Sequence, residues 1–101
     1  MASPGERTFL VEGYVPNLDE STAAELSSRL RTAIGELEQE GPCVRWLQSF
    51  ALIEEETYVW MLATPDVGHV ALVNERAGIR FDHIVEMTAV EGERVSDLPV
   101  S

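Results

Sequence analysis

The sequence predicts a small α+β domain with element order β-α-β-β-α-β and two helices on one face of an antiparallel sheet. Three observations carry that prediction. The apolar period switches repeatedly between two and about 3.6 residues. Turn and cap residues stand at the switches. The balance of 45% hydrophobic and 25% charged residues is that of an ordinary globular chain. With 101 residues the chain is one domain long and can bury about two-thirds of the surface its unfolded form exposes. Residues 1–7 and 91–101 are polar, aperiodic and rich in Gly, Pro or Ser, and read as loose tails flanking a domain at 8–90.

The elements follow in order. "TFLVEGYV" (Thr8 to Val15) alternates as a strand and stops at Pro16-Asn17. Next, Leu26, Leu30, Ala33, Ile34 and Leu37 form one helical stripe, opened by Asp19 or Ser21 as a cap and closed by Gly41-Pro42. Cys43 to Ile53 and Thr57 to Ala63 are rich in aromatic and aliphatic residues, and Glu54-Glu55-Glu56 joins them as a solvated hairpin turn. A shorter helix is expected from Thr64 as capping hydroxyl and Pro65 as first residue to Gly78 as C-terminal cap, burying Val67, Val70, Ala71 and Asn74 or Ala77. "DHIVEMTAV" (Asp82 to Val90) is the last strand.

This order, two split strand-helix-strand units, is the ferredoxin-like arrangement, which leaves one sheet face open. On the first strand Phe9, Val11, Gly13 and Val15 should meet the helices, turning Leu10, Glu12 and Tyr14 outward. On the last strand Val85, Met87 and Ala89 read as core and Ile84, Glu86 and Thr88 as open-face residues. The third strand divides into Val59, Met61 and Ala63 inside and Tyr58, Trp60 and Leu62 outside. The second strand is apolar on both parities, so either Arg45 and Leu47, or Trp46, Gln48 and Phe50, join the open face. A face so apolar needs a cover. A second copy meeting it sheet to sheet would make a homodimer, a dimeric α+β barrel with an inner cavity.

Charge and composition exclude several functions. Eighteen acidic residues against seven basic ones give a net charge of −11, which repels nucleic acid and anionic membranes. No apolar run reaches the ~20 residues that cross a bilayer, no signal-peptide pattern opens the chain, and the single Cys43 forms no internal disulfide, so a cytoplasmic location is expected. Cys43 itself reads as a buried small hydrophobe. Phosphate loops, nucleophile elbows and Cys-x-x-Cys pairs are missing from the sequence.

The candidate catalytic residues are Glu12, Glu86 and Tyr14. Two carboxylates confined away from water raise one another's proton affinity, which makes a general base or a neutral hydrogen-bond donor. Tyr14 could bond one of them or a substrate oxygen. Trp60, Tyr58, Trp46, Arg45 and His83 are the expected ligand-binding residues. The competing reading pairs the glutamates with Arg45 or Arg80 at a wet rim. His69 on a helix reads as a surface residue, and His83 and Glu86, three apart on a strand, should take opposite faces.

"RTFLVEGYVPNLDE", "RWLQSFALIEEETYVWMLATPD" and "NERAGIRFDHIVEM" together resemble a family of small ferredoxin-like bacterial proteins catalogued as a domain of unknown function and typified by a nickel-binding dimer. The likeness runs from about Thr8 to Val90. It implies the dimeric barrel and binding of a divalent transition metal, with no established reaction. Members that bind metal carry His just before and just after the "ERAG" segment, where this chain has Asn74 and Ile79, a poor ligand for nickel and no ligand at all. No cofactor is therefore expected, and nickel or another divalent metal is the lesser reading. The sequence leaves two functions open: a homodimeric binding protein whose carboxylate- and aromatic-lined cavity holds a small molecule, and a cofactor-independent barrel enzyme of cyclase, isomerase or monooxygenase type. The enzyme would use Glu12 or Glu86 as base, Tyr14 or His83 at the oxyanion and Trp60 against the substrate's apolar body.

Overall fold

A computed structural model describes residues 5–90, so the expected tail at 91–101 and the first four residues of the one expected at 1–7 lie outside the described residues. Six elements follow in the expected order: β1 (Arg7–Tyr14), α1 (Glu20–Glu40), β2 (Arg45–Leu52), β3 (Thr57–Thr64), α2 (Val67–Ala77) and β4 (His83–Met87). The sheet is wholly antiparallel with strand order β2-β3-β1-β4, and the protein is an α+β domain of ferredoxin-like order. β1 begins one residue before the expected Thr8, and Glu6 is already anchored to Arg45 by two hydrogen bonds of 2.8 and 3.0 Å.

α1 forms because Leu26, Leu30, Ala33 and Leu37 share one buried stripe. Asp19 caps it, accepting from the Thr22 amide at 2.7 Å, and Gly41 at φ 119° ends it. α2 starts two residues later than expected. Its cap is Asp66, whose carboxylate accepts from the Gly68 amide at 2.8 Å. Thr64 stays in β3, with its hydroxyl bonded to His69 Nδ1 at 2.9 Å. This shift turns the helix: Val70, Val73, Asn74 and Ala77 are buried, while Val67 and Ala71 are exposed, contrary to expectation. Gly78, left-handed at φ 68°, closes it as anticipated. Cys43 is exposed rather than buried, and the next residue, Val44, takes the inward position.

Cross-strand register decides which side chains meet the helices, because residues directly opposite in an antiparallel pair share a face. Phe9 lies opposite Leu62, Val11 opposite Trp60 and Gly13 opposite Tyr58. All five side chains in these pairs are buried, none more than 2% exposed. The expectation for β1 therefore holds, while that for β3 is inverted: Tyr58, Trp60 and Leu62 face the helices and Val59, Met61 and Ala63 the open side. The polar atoms agree with this placement. Trp60 Nε1 donates to Asn74 Oδ1 of α2 at 3.0 Å, and the Tyr58 and Ser27 hydroxyls bond at 2.6 Å beneath α1. β4 is inverted too. Ile84 lies opposite Val11 and Glu86 opposite Phe9, whereas His83, Val85 and Met87 lie opposite Glu12, Leu10 and Thr8.

In β2 a bulge between Trp46 and Gln48 inserts Leu47 and switches parity within the strand. Trp46 goes to the helix side, where its ring lies 5.4 Å from the Arg31 guanidinium. Arg45, Gln48, Phe50 and Leu52 go to the open side.

Two glycines make the packing testable. A Cβ on Gly13 would collide with the Arg80 carbonyl oxygen in the loop that leads into β4. Gly35 sits within α1 with open space around it. Gly13→Ala should lower the unfolding free energy by about 1–3 kcal/mol, because the loop must move and strain its bond from the Asp82 amide to Glu12. Gly35→Ala should raise it by about 0.5–1 kcal/mol. Urea unfolding of the two variants measures both.

Candidate functional site

With both helices on one side, the open face is built from cross-strand rows. Reading from β2 through β3 and β1 to β4, one row is Phe50, Val59, Glu12, His83. The next is Gln48, Met61, Leu10, Val85, and a third is Arg45, Ala63, Thr8, Met87. The middle of this face is aliphatic and thioether in character. Val85, Phe50 and Leu52 are between 42% and 49% exposed, so among the described residues no layer covers this broad apolar surface.

Glu12 sits half-buried on β1, with Val59 opposite on one side and His83 on the other. It is the one carboxylate of these three rows. Its backbone carbonyl accepts from the Asp82 amide at 2.8 Å, which sets where β4 begins and so brings His83 level with it. The two are cross-strand neighbours on one face, with no hydrogen bond or ion pair between their side chains.

The expected pair of glutamates does not form. Glu86 belongs to the helix-side row with Trp46, Leu62 and Phe9, and its carboxylate pairs with Arg7 at 3.2 Å on an exposed rim. Such a bridge contributes about 0–1 kcal/mol. His83 and Glu86 do take opposite faces, as their spacing requires, but it is His83 that shares the face with Glu12.

Tyr14 keeps the parity of Glu12 but lies at the sheet's end, 54% exposed. Its hydroxyl donates to Glu56 at 3.2 Å, and that carboxylate raises the phenol's pKa above its usual value. The Glu56 carboxylate also accepts from the Asn17 amide, so Tyr14 helps tie the β2–β3 turn to the loop before α1. Tyr58, Trp60 and Trp46 belong to the helix-side core, and leave Phe50, with Tyr14 at the sheet's end, as the aromatic rings of Phe, Tyr and Trp type on the open side. Arg45 lies on the open side in a two-point ion pair with Glu6.

The two positions where the resembled family carries histidine are both inside the helix-side core. Asn74 is 1% exposed, with Oδ1 held by the Trp60 indole, and Ile79 is 6% exposed. His69 is held by Thr64 near the start of α2. Among the described residues no group of three or more His, Cys, Asp or Glu side chains could hold a metal ion.

Two grooves lie away from the middle of these rows. A groove of about 440 Å³ runs between α1 and the β2 edge, lined by Ala23, Ser27, Ser49, Ala51 and Tyr58 among others. Another, of about 270 Å³, separates α1 from Arg76 and Ala77 of α2. A single open sheet face is too shallow to surround a ligand. The positions the sequence did not single out as site residues, Met61, Gln48 and Val85, become visible only through register. No helix among the described residues is long and apolar enough to cross a membrane. Compared with protein-family models, curated proteins and solved structures, the chain matches none.

The Glu6–Arg45 pair gives a pH test. The Arg45 guanidinium, bonded directly to Glu6, holds that carboxyl below its ordinary value of 4.5. A lowered carboxyl pKa adds stability that is complete above the unfolded value and is lost as pH falls through the folded one. A proton titration of Glu6 followed by NMR should show a midpoint below 4.5, moving up toward the ordinary range in Arg45→Met.

Proposed function

We propose that this chain is a homodimeric binding protein whose two open sheet faces meet and enclose a small organic molecule. The observation that supports this reading best is the composition of the open face: a half-buried carboxylate and an imidazole, Glu12 and His83, level with each other on a surface otherwise dominated by Leu10, Met61, Val59, Val85 and Met87. Ligand pockets have this make-up, an apolar lining with a few placed polar groups. A second copy is the cover that supplies the missing wall. Three strands of eight residues and one of five, at about 3.4 Å per residue and about 4.8 Å between strands, span roughly 470 Å² in projection. With side-chain relief that approaches the ~800 Å² per partner of a stable interface. The likeness to a family typified by a dimer points the same way.

The aromatic lining expected at first is no part of this proposal, since Trp60, Tyr58 and Trp46 serve the core. A catalytic version rests on one specific feature, the Glu12–His83 pairing. In it a substrate carbon next to a carbonyl would lose its proton to Glu12 while His83 stabilised the oxyanion. Tyr14, committed to Glu56, would take no part.

Two measurements test the reading. Sedimentation at micromolar concentration should give a dimer mass, and Met61→Glu, which places a charge at the centre of the open face, should give a folded monomer. A monomeric wild type refutes the enclosed cavity. Added salt should tighten the dimer, because each copy carries a net charge of −11 that ions screen.

A further inference from the structure

The open face is chemically lopsided. Its three rows contain one guanidinium, Arg45, whose Nε–Nη2 edge is taken by the two carboxylate oxygens of Glu6 at 3.0 and 2.8 Å. The chain has no lysine at all. Elsewhere among the described residues, Arg7, Arg29 and Arg76 are likewise engaged by carboxylates. By contrast Glu12, half-buried among aliphatic neighbours, has no cationic side chain within ion-pairing distance among the described residues.

From this we infer that the molecule held at the open face is an organic amine in its ammonium form, carried on an apolar body. Its cation would sit at Glu12 and its hydrocarbon portion on Leu10, Met61 and Val85. The inference rests on the small-molecule reading above and adds the class of ligand. Two effects act together. A carboxylate partly withdrawn from water gains more from a mobile cation than an exposed one does, because the effective dielectric is lower. A net charge of −11 lowers the local concentration of anions and raises that of cations. The thioethers of Met61 and Met87 supply a soft, adaptable surface that suits an alkyl or aryl body without selecting one shape. Anionic amphiphiles meet the opposite conditions: a repelling field and, in the open-face rows, no guanidinium without a carboxylate partner.

The probes are octylamine, 1-octanol and octanoate, which share chain length and differ in charge. Each is titrated into the full-length protein at neutral pH and followed by calorimetry and by amide shifts of Leu10, Met61 and Val85. Octylammonium should bind about tenfold or more tighter than octanoate, the scale of one charge-assisted hydrogen bond. Glu12→Gln should bring the amine to the affinity of the alcohol, whereas Glu75→Gln on the outer side of α2 should leave the preference intact. Equal binding of all three probes, or a preference for octanoate, overturns the amine assignment while sparing the cavity. Retention of the amine preference in Glu12→Gln overturns it as well. If no probe binds, the small-molecule reading falls and this inference with it.

Discussion

The alignment of Val11 with Trp60 across β1 and β3 is the constraint on which the rest of this structure depends. These are the two central strands, and their register assigns every alternate residue of both to one side or the other. A slip by a single residue would exchange the two sets. Trp60 would then carry its indole N–H to the open face, and Asn74 would lose the donor that satisfies its buried carbonyl oxygen. The penalty for stranding such a group, about 1–3 kcal/mol, adds to that of removing a buried aromatic ring from its pocket. One hydrogen bond between β3 and α2 therefore does more than hold a helix in place. It gives two polar groups an outlet in one register only.

Gly13 enforces the same choice from the other end of β1. Because it carries no Cβ, the chain from Gly78 can cross close above it, with the Arg80 carbonyl nearly in contact. That path delivers Asp82 to two bonds with β1, its amide to the Glu12 carbonyl and its carboxylate to the Tyr14 amide. β4 then pairs from His83 onward, opposite Glu12. The placement of the imidazole thus traces back to a glycine on the neighbouring strand: no side chain at residue 13 lets the loop approach, the approach sets the register, and the register brings His83 to the face of Glu12.

These dependencies explain how much the sequence revealed. Element order, both helix stops and the inward set of β1 were legible because they rest on local period and on turn chemistry. The alternation of Phe9, Val11 and Gly13 against Leu10, Glu12 and Tyr14 is clear, and the stripe of α1 is clear for the same reason. β3 gave no such signal: Tyr58, Trp60 and Leu62 are as apolar as Val59, Met61 and Ala63. The choice between them is made by partners far along the chain, Ser27 and Asn74. β4 misled because Val85 and Met87 look like core residues, yet this edge strand sits where only Ile84 reaches the buried cluster. β2 offered two readings, and the bulge at Leu47 takes part of each. One residue did hold a usable clue. An asparagine within the buried stripe of a short helix needs a donor from the facing sheet, and a tryptophan indole on the inward side of β3 supplies it.

The inversion of β3 and β4 moves the chemistry as well as the side chains. With the large aromatics inside, the core gains their area and hydrogen bonds, while the open face keeps flexible methionines, aliphatic residues and a single carboxylate–imidazole row. A face built from Trp and Tyr would favour one rigid, planar partner. Leu10, Met61, Val85 and Met87 would instead adapt to what lies on them, so in the proposed complex selectivity would come from charge and from Glu12 in particular. The acidic excess of the whole chain strengthens that selectivity at long range. The Glu6–Arg45 pair strengthens it nearby, since it removes the one guanidinium of the open-face rows from competition. The same neutralisation lowers the cost of placing Arg45 beside a second copy of the chain. The proposed dimer contact and cation selection would thus be compatible demands on one surface, each drawing on a different part of it.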